Sequence, residues 1–241
     1  MPVAFRIAVL ASGRGSNLQA IIDAIDDGRL AARLVGVFSD KPSAFALERA
    51  RAIGVPALAV RPRDFTSRAA SDEHLFSQVD AVAPDLIVCA GYMRLLNARE
   101  VSARHGRVIN IHPSLLPAFK GLHTHQQALD ASASVHGASV HYVTPELDGG
   151  PVIAQARVAV EPGDDAGRLA QRVLAREHPL MLATLQWLVS GRIRLAAPAS
   201  GSRVELDGQP LSAPLQLDAG NVLAQSADQP AIPTPPPPAF S

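Results

Sequence analysis

A single cysteine stands in 241 residues, at Cys89, so no disulfide framework holds this chain together. A reducing compartment fits that usage. Inside the apolar run Leu86-Ile87-Val88-Cys89 the thiol reads as a small buried hydrophobe. Net charge is lacking too, because 22 basic residues balance 22 acidic ones. Nucleic acid and anionic membranes usually select a basic excess, so neither is expected as a partner; a local anion site stays open. No apolar stretch approaches the roughly 20 residues of a membrane span. The first residues lack the basic segment, long apolar core and cleavage site of a signal peptide. A cytoplasmic location is therefore expected. No internal repeat is present.

What is present alternates. Apolar runs predict strands over 6–11, 34–38, 57–60, 86–90 and 108–112. Helical spacing predicts helices between them, over 16–25, 44–53, 67–82 and 98–105. Strands that alternate with helices indicate a mostly parallel sheet covered on both faces. After His112 the pattern changes to a loop and a short helix. Strands are then expected over 138–143 and 152–160. Residues 144–151 are too few for a helical crossover, so these two should pair antiparallel. A long helix over 166–189 follows, then a late hairpin from 192–195 and 204–206, with Asp207-Gly208 as a turn. From residue 224 the chain is Gln, Ser, Ala and Pro, which predicts disorder or polyproline II. The expected fold is α/β: a Rossmann-like, mostly parallel sheet with helices on both faces and a late antiparallel strand pair. The expected organisation is a catalytic domain over 1–195, a hairpin extension over 196–223 and a Pro-rich tail over 224–241.

The first turn reads Ala-Ser-Gly-Arg-Gly-Ser-Asn-Leu, residues 11 to 18. Free N–H groups at a helix start and the positive end of its dipole hold phosphate. Gly13 and Gly15 permit a tight turn and close approach of an anion. A dinucleotide fingerprint needs a small residue where Leu18 stands, and a Walker loop needs Gly-Lys-Ser/Thr. One phosphate on a smaller substrate fits better. The plain alternative is that Ser16 or Asn17 caps the helix and the glycines only turn.

Residues 110 to 117 read NIHPSLLP. Positions two apart on a strand share a face, so Asn110 and His112 point the same way. They end a parallel strand, at the edge where open α/β sheets bind ligands. Gly15 and Gly91 follow other strands at that edge. A satisfied core histidine is the alternative for His112, and the rim position favours function. Asp148, in Glu-Leu-Asp-Gly-Gly-Pro, is ordinary turn chemistry or a carboxylate carried back to His112, where it would favour the charged ring. His123 and His125 have no local partners with which to make a metal set, so surface or packing roles are expected. Glu177, on the long helix, reads as an ordinary solvated position.

The motifs ASGRGSNLQAII, AGYMRLL, NIHPSLLPAFKGLHTHQQAL, GASVHYVTPELDGGPVIAQ and REHPL occur in order between about Arg6 and Arg194. Together they resemble the folate-dependent phosphoribosylglycinamide formyltransferases. The resemblance implies the formyltransferase fold. It also implies transfer of a formyl group from 10-formyltetrahydrofolate to the amine of glycinamide ribonucleotide, in purine synthesis, without a metal. It assigns catalysis to Asn110, His112 and Asp148, and the ribonucleotide to Gly15, Ser16, Asn17, Gly91 and Glu177. It assigns the folate to Arg68, Met93, Arg94, Leu95, Leu96, Asn110, Thr144, Pro145, Glu146, Leu147 and Asp148. The expected partners are the two small molecules, with the chain a monomer or weak homodimer. The stretch Ala118-Phe119-Lys120-Gly121 departs from the Lys-Tyr-Pro-Gly form of some members. Four rivals remain: a methionyl-tRNA formyltransferase, a formyltetrahydrofolate hydrolase, a metal hydrolase using His112, His123, His125 and Asp148, and a non-catalytic nucleotide-binding module.

Overall fold

A computed structural model describes residues 4–196 and 202–225. The expected disorder from residue 224 falls almost wholly outside that range. Among the described residues nine strands form the main sheet, in the order β12-β11-β7-β6-β5-β4-β1-β2-β3. Its parallel half is β1 (Phe5–Leu10), β2 (Ala32–Ser39), β3 (Ala57–Ala59), β4 (Leu86–Cys89) and β5 (Val108–His112). Then β6 (Val135–Tyr142) pairs antiparallel with β5, and β7 (Val152–Ala159) pairs antiparallel with β6, as the short connection requires.

Alternation along each strand decides which helices it meets. Ile7 and Val9 of β1 pack on one face with α1 (Ser16–Asp26), α2 (Phe45–Ala52), the short helix α5 (Thr124–Asp130) and α6 (Ala166–Val189). Ala8 and Leu10 pack on the other with α3 (Arg68–Ala81) and α4 (Ala98–Ser102). In β5, Ile109 and Ile111 join the first face and Val108 the second. Asn110 and His112 therefore lie on the α3 side, in line with Val108. Leu169, Val173, Leu180 and Leu188 form the buried stripe of α6, which continues through Pro179.

Some elements differ from expectation and others follow it. The helix expected over 98–105 ends at Ser102, and Arg104 folds back onto Asp80 and Glu100. β6 starts three residues earlier than expected, at Val135. The late hairpin forms from β8 (Ile193–Ala196) and β9 (Arg203–Leu206), and Asp207-Gly208 turns the chain into β10 (Gln209–Pro210). Beyond it β11 (Leu215–Leu217) and β12 (Leu223–Ala224) return to the main sheet, with β11 parallel to β7. Among the described residues no helix is long and apolar enough to cross a membrane.

Candidate active site

β5 delivers Asn110 and His112 to the rim, and two irregular connections close around them. His112 is buried, with Nε2 3.0 Å from the Phe119 carbonyl. A carbonyl only accepts, so Nε2 carries a proton and donates. Phe119 holds a φ of 54°, a left-handed conformation uncommon for a bulky residue. The other ring nitrogen, Nδ1, stands 3.5 Å from Asp148 Oδ2. Asp148 comes from the β6–β7 connection and is itself left-handed, with φ 45°. The two glycines after it allow the return: a Cβ on Gly150 would strike the Tyr142 carbonyl, and one on Gly149 would strike Glu146. Asp148 Oδ2 also accepts the Gly121 N–H at 2.9 Å. One carboxylate thus joins the loop after β5 to the loop after β6.

A fourth member of this group is His141 on β6, directly opposite Asn110 in the strand register. Its Nδ1 is 2.9 Å from the Tyr142 carbonyl and therefore donates. Burial pushes its pKa down to about 4, and Asp148, 3.7 Å away, only partly opposes this. The neutral ring leaves Nε2 as an acceptor for Asn110 Nδ2 at 3.2 Å. Asn110 has two amide protons, so one remains for another acceptor.

Behind the group the chain over 113–118 is held by buried polar side chains. Leu116 N–H and Gln155 Nε2 both donate to Ser139 Oγ, which donates to the Ser114 carbonyl at 2.7 Å. Gln155 Nε2 also donates to the Leu116 carbonyl at 2.9 Å. Of the two X-Pro bonds in this stretch, Leu116–Pro117 is cis.

At the first turn Gly15 occupies the capping position of α1 with φ 69°. A Cβ there would lie 2.8 Å from Ala46 Cβ, so only glycine fits. Neither Ser16 nor Asn17 is the cap. Asn17 turns to α6 instead, where its Nδ2 donates to Glu177 Oε2 at 2.9 Å. Glu177 is not the solvated residue that its helix position suggested. Burial pushes its carboxyl up, and the Asn17 bond opposes that shift. Asn17 is 7% exposed, and its Oδ1 has no protein partner. The turn thus ends at free helix N–H groups beside a buried amide oxygen.

Two segments flank the rim. In residues 91–97, Met93 and Leu95 are exposed and Leu96 is buried. Asp72 on α3, wholly buried, accepts the Asn97 N–H at 2.9 Å and faces Arg94 Nη1 at 3.3 Å. Burial pushes the Asp72 carboxyl up, against the pull of Arg94. Arg68 Nη2 reaches the Leu96 carbonyl at 3.5 Å. In residues 144–148, Pro145, Glu146 and Leu147 are exposed, and Glu146 pairs with Lys120 at 2.8 Å. Met93, Leu95, Leu122 and Leu147 therefore offer apolar surface around a polar centre.

His123 is exposed, while His125 Nδ1 meets His136 Nε2 at 3.2 Å. Among the described residues no group of three or more His, Cys, Asp or Glu is placed to hold a metal ion. Sequence reading missed His141, Asp72 and the Ser139–Gln155 network. His141 had a signal, because it lies two residues from Ser139 on an alternating strand; only the register puts it opposite Asn110.

Comparison with known proteins gives the family. A family model described as formyl transferase matches residues 5–185. The phosphoribosylglycinamide formyltransferase of Escherichia coli is 47% identical over 205 residues, covering 85% of this chain and 95% of that one. That of Bacillus subtilis is 39% identical, covering 72% and 89%. The solved phosphoribosylglycinamide formyltransferase of Coxiella burnetii superposes with a TM-score of 0.81 at 44% identity, covering 87% of this chain and 97% of that one. The chain belongs to the formyl transferase family, and within it to the phosphoribosylglycinamide formyltransferases.

Proposed function

We propose that this formyl-transferring enzyme moves the formyl group of 10-formyltetrahydrofolate to the amine of glycinamide ribonucleotide, a step of purine biosynthesis in the cytoplasm. The observation that carries the reading is the convergence of Asn110, His112 and Asp148 at one strand end, inside a family of that activity.

The residues divide the work as follows. The ribonucleotide phosphate sits on the N–H groups after Gly15, with Ser16 and Asn17. Gly91 and Glu177 contact the rest of that molecule. The folate lies between Arg68, residues 93–96 and residues 144–148. The amine attacks the formyl carbon, a C–N bond forms, and the carbonyl oxygen takes the negative charge of a tetrahedral intermediate. Donors aimed at that oxygen lower the barrier. Asn110 supplies the N–H that His141 leaves free. In its charged form His112 supplies Nδ1–H, since Nε2–H is committed to Phe119. Asp148 takes the proton lost by the attacking amine and passes it toward the folate nitrogen, directly or through water. Breakage of the C–N bond to the folate then releases tetrahydrofolate. No step needs a metal, and the chain works as a monomer or weak homodimer.

The test is to mix the protein with 10-formyltetrahydrofolate and follow folate release with and without glycinamide ribonucleotide. Release that depends on the ribonucleotide is expected. Release without it would instead indicate a hydrolase.

A further inference from the structure

Ser12 stands among three strand tips. β1 lies between β2 and β4, and hydrogen bonding runs on past the strand ends. Ala11 N–H donates to the Phe38 carbonyl, Ala90 N–H to the Leu10 carbonyl, and Ser12 N–H to the Gly91 carbonyl at 3.0 Å. The Ser12 side chain then bridges sideways. Its hydroxyl donates to Asp40 Oδ1 at 2.6 Å, and its oxygen accepts the Met93 N–H at 2.9 Å. Asp40 follows β2 and Met93 follows β4. Ser12 is buried, so water does not replace these bonds.

A hydroxyl has one proton to give. Asp40 takes it, which leaves the Ser12 lone pairs for Met93. A 2.6 Å O–H···O contact has the length of a charge-assisted bond, and a donor so polarised is a stronger acceptor. One residue of the phosphate turn therefore grips the 91–93 turn twice, by its backbone N–H and by its side-chain oxygen.

We propose that Ser12 is a positioning residue that fastens the turn over 91–93, which carries Gly91 for the ribonucleotide and Met93 for the folate, to the phosphate turn over 12–15, with Asp40 acting only through Ser12. The proposal rests on the assignment of those two turns to the two substrates. Ser12 touches no reacting atom. It keeps the two half-sites in one register, so that neither turn is ordered without the other.

The test is a double-mutant cycle read by calorimetry on the whole chain. Wild type, S12A, D40A and the double variant are titrated separately with glycinamide ribonucleotide and with tetrahydrofolate. S12A should weaken both ligands, each by about tenfold, the scale of an unpaired buried N–H. D40A should weaken both by about threefold alone, and add nothing in the S12A background. A loss confined to one ligand overturns the proposal, and so does a D40A effect that persists undiminished without the hydroxyl. Should S12A fail to fold, D40A carries the two-ligand test alone, since Asp40 is only half-buried. Wild-type protein that binds neither ligand would count against the proposed function instead. The clamp is then read without ligand: Met93 amide exchange should quicken in D40A while exchange within β4 holds. Unchanged exchange at Met93 overturns it.

Discussion

The bond from His112 Nε2 to the Phe119 carbonyl commits one ring nitrogen, so only Nδ1 can exchange a proton with the site. Asp148 faces that nitrogen. His112→Ala and Asp148→Asn should each lower kcat about a hundredfold or more, the scale of losing an oxyanion donor or a proton-transfer group. Steady-state folate release measures this, and near-normal turnover by either variant would remove the assignment. His141 carries a prediction about stability. Its folded pKa is about 4 against an ordinary 6.5, and burial is the cause. Above 6.5 neither folded nor unfolded chain binds this proton, so stability is full. As pH falls the unfolded chain takes a proton that the native ring refuses, and stability is lost until about pH 4. Asp148, His112 and Lys120 are the charged groups that act on it. His136, also held near 4 by burial, adds loss in the same window. Urea unfolding at about pH 7 and about pH 5 should show a smaller loss in His141→Asn than in wild type, by up to about 1.4 kcal/mol per pH unit. Equal losses in the two proteins would dismiss the point.

At the scale of elements, the segment over 91–97, which carries the proposed folate residues 93–96, is fastened at both ends, to Ser12 and to Asp72. Asp72→Asn keeps an acceptor for the Asn97 N–H but leaves Arg94 without its counter-charge. The folate KM should rise about tenfold and melting should drop several degrees, as expected when a buried pair loses one charge. The ribonucleotide KM should not change; a rise in both would show that Asp72 supports the whole rim. Asp72 also marks a limit of sequence reading. A carboxylate on α3 looks like a solvated face, and only the packing of a segment more than twenty residues later buries it. The strands were different. The runs at 6–11 and 86–90 are apolar because both faces are covered, so their place in a parallel sheet was visible, and with it the rim that holds Asn110 and His112. The place of His141 opposite Asn110 was not visible, because the register of β6 on β5 follows a connection of more than twenty residues, helix included. The solvated reading of Glu177's helix position fails for a related reason: it holds Asn17 on α1 by a hydrogen bond that no helix periodicity reports.

At the scale of the molecule, β7 would be a bare edge without the C-terminal strands. β11 pairs along it, and Leu215, Leu217 and Leu223 are buried there. Arg176 on α6 clasps the strand pair, reaching Asn221 Oδ1 at 2.9 Å and the Asp218 carbonyl at 2.6 Å. An uncovered strand with an apolar face invites pairing with another chain. The proposed catalytic pair, Asn110 and His112, lies on β5, beyond β6 and β7 from this edge. Cover and catalysis should therefore separate. Removal of residues 211–241 takes away three buried leucines, each contributing about 1.5–3 kcal/mol by burial. The shortened chain should melt at least about 5 °C lower and associate with rising concentration in sedimentation. Its kcat at low concentration should stay within about twofold of wild type, because no donor in the site moves. A shortened chain that stays dispersed and melts with wild type would show that β7 needs no cover. A large fall in kcat would show that the edge strands reach the rim through β6, on which His141 stands.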